Sequence, residues 1–259
     1  MAETLIVVPC YNEAGRLPVD GFLDGLATNA DVDFIFVNDG SSDDTLEILR
    51  KLEAREPTRL SVIDQQPNRG KAEAVRAGML AAFERGPRYA GFFDADLATS
   101  LDEIPRMRRV FERDPVCEIV LGARVQLLGR DIQRRKARHY LGRVFATLAS
   151  EALGLRVYDT QCGAKLFRVT PTTEALFAEP FVANWVFDVE IIARLIEARA
   201  GTREPPAERA VYELPLDRWI DVAGSKVKPT DFFRAIWEMA WIYRRYLRSL
   251  PRDHGGPGR

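Results

Sequence analysis

Residues 89–96 read Tyr-Ala-Gly-Phe-Phe-Asp-Ala-Asp. Five apolar or small residues run straight into two carboxylates, the pattern of a buried strand that stops at a polar rim. The pattern repeats on both sides. Upstream, 5–8 reads as a strand ended by Pro9, 34–37 as a second followed by Asn38-Asp39-Gly40-Ser41-Ser42, and 60–63 as a third. Downstream, 119–121 reads as a fifth. Helical patterns separate them: a loop and helix over 14–28, a helix opened by Asp43 and Asp44, and helices over 70–85 and 101–113. Acidic residues in a first turn suit the helix dipole. This alternation predicts an α/β fold with a mostly parallel sheet flanked by helices. Ligands on such sheets bind beyond the carboxyl ends of the strands. Pro9, Asp39 and Asp94 therefore come together on one rim.

The second half is less regular. A long helical stretch is expected over 127–153, a strand over 164–169, a helix over 185–198, a strand over 210–214 and a final helix over 231–248. Residues 201–209 read as a loop and 251–259 as a disordered tail. No repeat or linker divides the chain, so 1–250 is expected to be one domain.

Composition narrows the function classes. Apolar residues are 46% and charged residues 29% of 259, which excludes collagen-like and wholly disordered chains. Lys plus Arg is 37 and Asp plus Glu is 38, for a net charge of −1, so no nucleic-acid partner is expected. Cys10, Cys117 and Cys162 show no CxxC spacing, which fits a reducing, cytoplasmic compartment. Two histidines leave little for a zinc site or a Ser-His-Asp triad. The longest apolar runs fall far below the roughly 20 residues needed to cross a bilayer, and no targeting segment is read at the start.

Asp94 and Asp96 are hard oxygen donors at a strand end. They suit Mg²⁺ or Mn²⁺ shared with substrate phosphates. A helix cap is the competing interpretation, since Ser100 and Asp102 follow closely. Further signals stand in order: Val8-Pro9-Cys10-Tyr11-Asn12-Glu13, then Asn38-Asp39-Gly40-Ser41-Ser42-Asp43-Asp44-Thr45, then Asn68-Arg69-Gly70-Lys71, then Asp94-Ala95-Asp96. This series resembles the family 2 glycosyltransferases, which have the GT-A fold. Asp159-Thr160-Gln161-Cys162-Gly163-Ala164-Lys165, Trp185-Val186-Phe187-Asp188 and Gly224-Ser225-Lys226 resemble the branch that transfers sugar to polyprenyl (dolichyl) phosphate.

The resemblance implies roles residue by residue. Pro9, Tyr11, Glu13 and Asp39 would line the base and ribose of a nucleotide sugar. Lys71 would sit near the ribose or diphosphate, with Ser225 and Lys226 in the same binding set. Asp94 and Asp96 would hold the metal. Ala98 stands where mannose-transferring relatives commonly carry Gln, which tilts the donor from GDP-mannose towards UDP-glucose. Arg124 and Arg138 would bind the lipid phosphate, while Gly142 replaces a serine contact. A phosphate acceptor is largely ionised at neutral pH and attacks without a strong base. A single displacement would invert the anomeric centre. A hydroxyl acceptor would need a base, and Asp188 is the candidate.

Basic charge is local. Residues 127–156 and 226–252 each hold seven Lys or Arg and two acids. The last helix adds Trp237, Trp241, Tyr243 and Tyr246, a mixture suited to lying in a headgroup layer. Amphipathic surface helices, a polyprenyl-phosphate partner and a peripheral place on the inner membrane face are expected. A core-packed helix with a solvated face is the simpler alternative. A catalytically silent nucleotide-binding module on a membrane is the alternative of another class.

Overall fold

A computed structural model describes residues 2–133, 136–222 and 229–250. The strands are β1 (Thr4–Cys10), β2 (Val32–Asp39), β3 (Leu60–Gln65), β4 (Tyr89–Phe93), β5 (Ile119–Ala123), β6 (Asp131–Gln133), β7 (Ala164–Arg168), β8 (Val211–Pro215) and β9 (Arg218–Ile220). The helices are α1 (Val19–Thr28), α2 (Thr45–Arg55), α3 (Lys71–Glu84), α4 (Glu103–Arg113), α5 (Lys136–Leu153), α6 (Pro171–Ala178), α7 (Phe187–Arg199), α8 (Ala207–Ala210) and α9 (Pro229–Ile242). A π-helical turn, Tyr243–Leu247, continues α9.

Seven strands form one sheet in the order β3-β2-β1-β4-β7-β5-β8, and β6 pairs with β9 in a separate parallel ribbon. β7 runs antiparallel to both neighbours, and every other pair in the large sheet is parallel. Alternation along β1 divides the core. Leu5 and Val7 join Val75, Met79 and Ile191 on one face, while Ile6 and Val8 join Phe22, Ile104 and Phe111 on the other. Both faces are covered, which is why the parallel strands are apolar throughout.

Three expectations change, the first being that residues 207–209, read as the end of a loop, open the short helix α8. β1 does not stop at Pro9 but runs to Cys10. Pairing of β1 with β4 ends at Val7↔Phe92, so Pro9 has a strand neighbour on one side only, where a missing N–H is tolerated. The long helix over 127–153 is interrupted. Gly129 at φ 80° turns the chain, Asp131–Gln133 pairs as β6 with β9, and Lys136–Leu153 is helical as α5. Helix α6 was not anticipated, although Thr170 caps it in a capping box with Thr173, and Pro171 opens it.

Candidate active site

The turns after β1 and β2 are laced together. Asn12, in the left-handed region at φ 50°, donates its N–H to Ser41 Oγ at 3.0 Å and accepts from the Ser42 N–H at 2.8 Å. The Glu13 N–H donates to Thr45 Oγ1 at 2.7 Å. Asp39 is buried at the end of β2. Its carboxylate accepts from the Arg69 and Gly70 N–H groups at 2.7 and 2.8 Å and from Gln65 Nε2 at 2.8 Å. Gly40, at φ 62°, has no room for a Cβ, which would fall 2.4 Å from the Asn68 nitrogen. Asp39 thus fixes the turn from which α3 starts, and Lys71 is the first residue of that helix.

Lys71 Nζ lies 2.5 Å from Asp94 Oδ1. Withdrawal from water works against the Lys71 charge, but Asp94 and Asp188 outweigh it and hold the ammonium above its usual value. The Asp94 N–H donates to the Gly163 carbonyl at 2.8 Å, and its carboxylate occupies the space a Gly163 Cβ would need. Asp96 Oδ1 accepts from the Ala98 N–H at 3.1 Å. Burial, then the Asp94 charge, push the Asp96 carboxyl up. Arg16 sits near enough to both aspartates to feel their charge, clasped by the Glu13 carboxylate. Two hard oxygen donors whose mutual repulsion a cation would relieve fit a divalent ion completed by substrate oxygens and water.

Asp188 stands in the first turn of α7, buried, with Oδ1 2.6 Å from the fully buried Lys165 Nζ. Burial raises the Asp188 carboxyl against the pull of Lys165 and Lys71. Arg124 follows β5. Its Nε and Nη2 reach the two Asp159 oxygens at 2.6 and 2.7 Å, and its guanidinium lies over the Trp219 ring. Withdrawal from water opposes the Arg124 charge, but Asp159 outweighs it and keeps the group well above its usual value.

The sequence pattern of Glycosyl transferase family 2 matches residues 5–175. The chain belongs to that family. A Trichomonas vaginalis dolichyl-phosphate beta-glucosyltransferase is 34% identical over 254 residues, spanning 92% of this chain and 70% of its own length. A Drosophila melanogaster dolichyl-phosphate beta-glucosyltransferase is 32% identical over 269 residues, spanning 95% of this chain and 76% of its own. Among solved structures, Mycobacterium tuberculosis glucosyl-3-phosphoglycerate synthase, with Mn²⁺, UDP and glucosyl-3-phosphoglycerate, overlays with a TM-score of 0.64. It shares 17% identity and covers 97% of this chain and 82% of that one. The fold is the GT-A fold, and the transferase has the rim its sequence predicts.

Within the transferase, Lys71, Asp94, Asp96, Arg124 and Asp188 lie close enough to feel one another's charge, Asp39 holds the turn before Lys71, and Pro9, Tyr11 and Glu13 lie at and just beyond the carboxyl end of β1. Arg138 falls in the opening turn of α5, but its side chain lies outside the described residues, as do Ser225 and Lys226. Arg16, Asp159, Gly163, Lys165 and Glu213 have no role that the sequence pattern announces. Asp159, Gly163 and Lys165 lie within a quoted motif but carry no chemistry until their partners, 35, 69 and 23 residues away, are seen.

Proposed function

We propose that this transferase moves glucose from UDP-glucose to the phosphate of a polyprenyl lipid, with inversion, at a membrane surface. The observation that carries it is Arg124, beyond β5 and within reach of the Asp94 charge, with its Nη1 amine free of hydrogen bonds among the described residues. Guanidinium suits phosphate through paired, charge-assisted bonds. The names of the relatives support a dolichyl-phosphate acceptor and glucose, and the UDP complex of the structural neighbour supports uridine as the base.

Asp94 and Asp96 would hold a divalent cation, Mg²⁺ or Mn²⁺, that neutralises charge on the departing diphosphate. Lys71, already drawn to Asp94, adds a positive charge to the same place. Asp39 keeps the Arg69–Gly70 turn fixed, so that Lys71 starts its helix beside Asp94, where the diphosphate would lie. Arg124, with Arg138, receives the acceptor phosphate, whose own oxygen attacks without a base. Asp188 is left without a proton to take from such an acceptor, and its Oδ1 is already engaged by Lys165.

Helices α5 and α9 support the membrane surface. Val144 and Leu148 on α5, and Ile236, Trp237 and Trp241 on α9, are exposed, and Arg143, Arg234, Arg244 and Arg245 lie along the same segments. Aromatic and apolar side chains beside arginines suit a headgroup layer. Among the described residues no helix is long and apolar enough to cross a membrane.

The test is a transfer assay with radiolabelled UDP-glucose or GDP-mannose, Mg²⁺ or Mn²⁺, and a short polyprenyl phosphate in detergent. Label from UDP-glucose entering the organic phase is the expected result. Label only from GDP-mannose would replace the donor. No label in the organic phase, with metal-dependent UDP binding intact by calorimetry, would overturn the lipid acceptor.

A further inference from the structure

A guanidinium carries five N–H donors in one rigid plane. In Arg124 the side-on pair with Asp159 spends two of them, and the Arg124 backbone N–H donates to the same carboxylate at 3.0 Å. One face is covered by Trp219, whose ring centroid lies 5.3 Å from the guanidinium carbon. What remains is the end of the plane: both Nη1 hydrogens and the outer hydrogen of Nη2. That is a fork matched to two oxygens of one phosphate.

Both supports are themselves anchored. Glu213 on β8 accepts from the Tyr158 N–H at 2.8 and 2.9 Å and from the Asp159 N–H at 2.8 Å. Trp219 bridges to Thr99, and the neighbouring Ile220 N–H donates to the Ala98 carbonyl at 3.1 Å. Residues 98 and 99 continue the turn that carries Asp94 and Asp96. The Arg124 plane is thus referenced to the acidic turn on one side and to the central sheet on the other.

We infer that Asp159 and Trp219 are positioning residues that hold Arg124 as an end-on fork for the acceptor phosphate monoester. This role presupposes Arg124 as a ligand of that phosphate. Asp159 also cancels much of the Arg124 charge, so recognition depends on the orientation of the fork more than on net charge.

Asp159→Asn keeps the side-chain size but turns an amide N–H₂ towards a donor, and one of the two bonds is lost. With UDP-glucose saturating and a two-isoprene polyprenyl phosphate in detergent as acceptor, its acceptor KM should rise about tenfold or more. UDP affinity in Mn²⁺, read by calorimetry, should stay within about twofold of wild type. Asp159→Glu should recover part of the loss. Trp219→Phe, which keeps an aromatic face, should remain near native, while Trp219→Leu raises the acceptor KM severalfold.

An unchanged acceptor KM in Asp159→Asn overturns the inference. So does a parallel loss of UDP affinity, the mark of a merely structural role. If Asp159→Asn does not fold, the two Trp219 variants decide, and equal acceptor KM values for them overturn it. Arg124→Lys keeps the charge and removes the fork. A native acceptor KM in that variant overturns Arg124 as the phosphate ligand, whatever Asp159 does.

Discussion

Adding a single methyl group at Gly163 should disable the acidic turn. A Cβ there would lie 1.9 Å from Asp94 Oδ2, 2.2 Å from its Cγ and 2.7 Å from Oδ1. Carbon and oxygen settle at about 3.3 Å or more even in their closest favourable contacts, so the carboxylate must move by more than about 1 Å. The backbone cannot absorb the shift, because the Asp94 N–H donates to the Gly163 carbonyl at 2.8 Å and Phe93 pairs with Ala164 in the next register position. The side chain must rotate instead, away from Lys71 Nζ at 2.5 Å. A displacement of about 1 Å in a reacting constellation can reduce the rate about 100-fold, equivalent to about 2.7 kcal/mol of barrier. Gly163→Ala should therefore lower kcat/KM for transfer about 100-fold and weaken Mn²⁺-dependent UDP binding about tenfold. Overpacking should reduce stability by about 1–3 kcal/mol, leaving the chain folded. The assay is label transfer at a series of Mn²⁺ concentrations, with calorimetry for UDP. A variant whose kcat/KM stays within threefold of wild type, with the same Mn²⁺ dependence, would refute Asp94 as a residue held by that glycine for the reaction.

Glu190→Ala should cost about 3–5 kcal/mol in urea unfolding, because it strands the buried Arg194 and removes the acceptor for Tyr246 Oη and the Val182 and Ala183 N–H groups; a loss below about 1 kcal/mol would contradict that. Burial pushes the Glu213 carboxyl up, so its contribution to folding is fully present below the ordinary carboxylate value of about 4.3 and is lost as pH rises through the raised one. The thermal midpoint of wild type relative to Glu213→Gln should accordingly be highest near pH 4.5 and decline towards pH 7.5, and a constant or opposite difference would refute it. Trp237→Ser combined with Trp241→Ser should reduce sedimentation with anionic vesicles several-fold while leaving UDP affinity native; unchanged sedimentation would remove these side chains from membrane contact. Burial pushes the Cys117 thiol up to about 12 and the Cys162 thiol up to about 11, so neither should take up iodoacetamide at pH 8 until urea is added, as mass spectrometry would show.

Strands were legible where burial on both faces leaves continuous apolar runs. Tyr89–Phe93 has the bounds its composition predicts because a carboxylate follows at once. The first half of the rim was legible too, since each polar segment directly follows such a run. The second half hides its logic in long-range pairs. Nothing within Ala164–Arg168 itself shows that Lys165 is fully buried over Phe92 and paired with Asp188. Arg124 was legible as a phosphate candidate, but nothing local announces that Asp159 would grip it. Asp39 was read as a nucleotide contact, and most of its bonding turns out to serve the Arg69–Gly70 turn. The 127–153 stretch misled because three strand residues are too few to register against a helical background, and their partner β9 comes 87 residues later.

The position of β7 dictates an order of assembly. β1, β2, β3 and β4 pair among themselves, and those contacts can form as the chain emerges from the ribosome. β5 has no partner among them. Its neighbours are β7 and β8, so residues 119–123 stay unpaired until residue 168 has been made, and one edge stays open until residue 215. Long-range pairing of this kind closes slowly. During synthesis the exposed margin of β4 and all of β5 are bare strands of the sort that invite aggregation. A fragment cut after residue 125 would carry the same bare edges permanently. The stretches before and after residue 125 are therefore expected to be inherited, expressed and lost together.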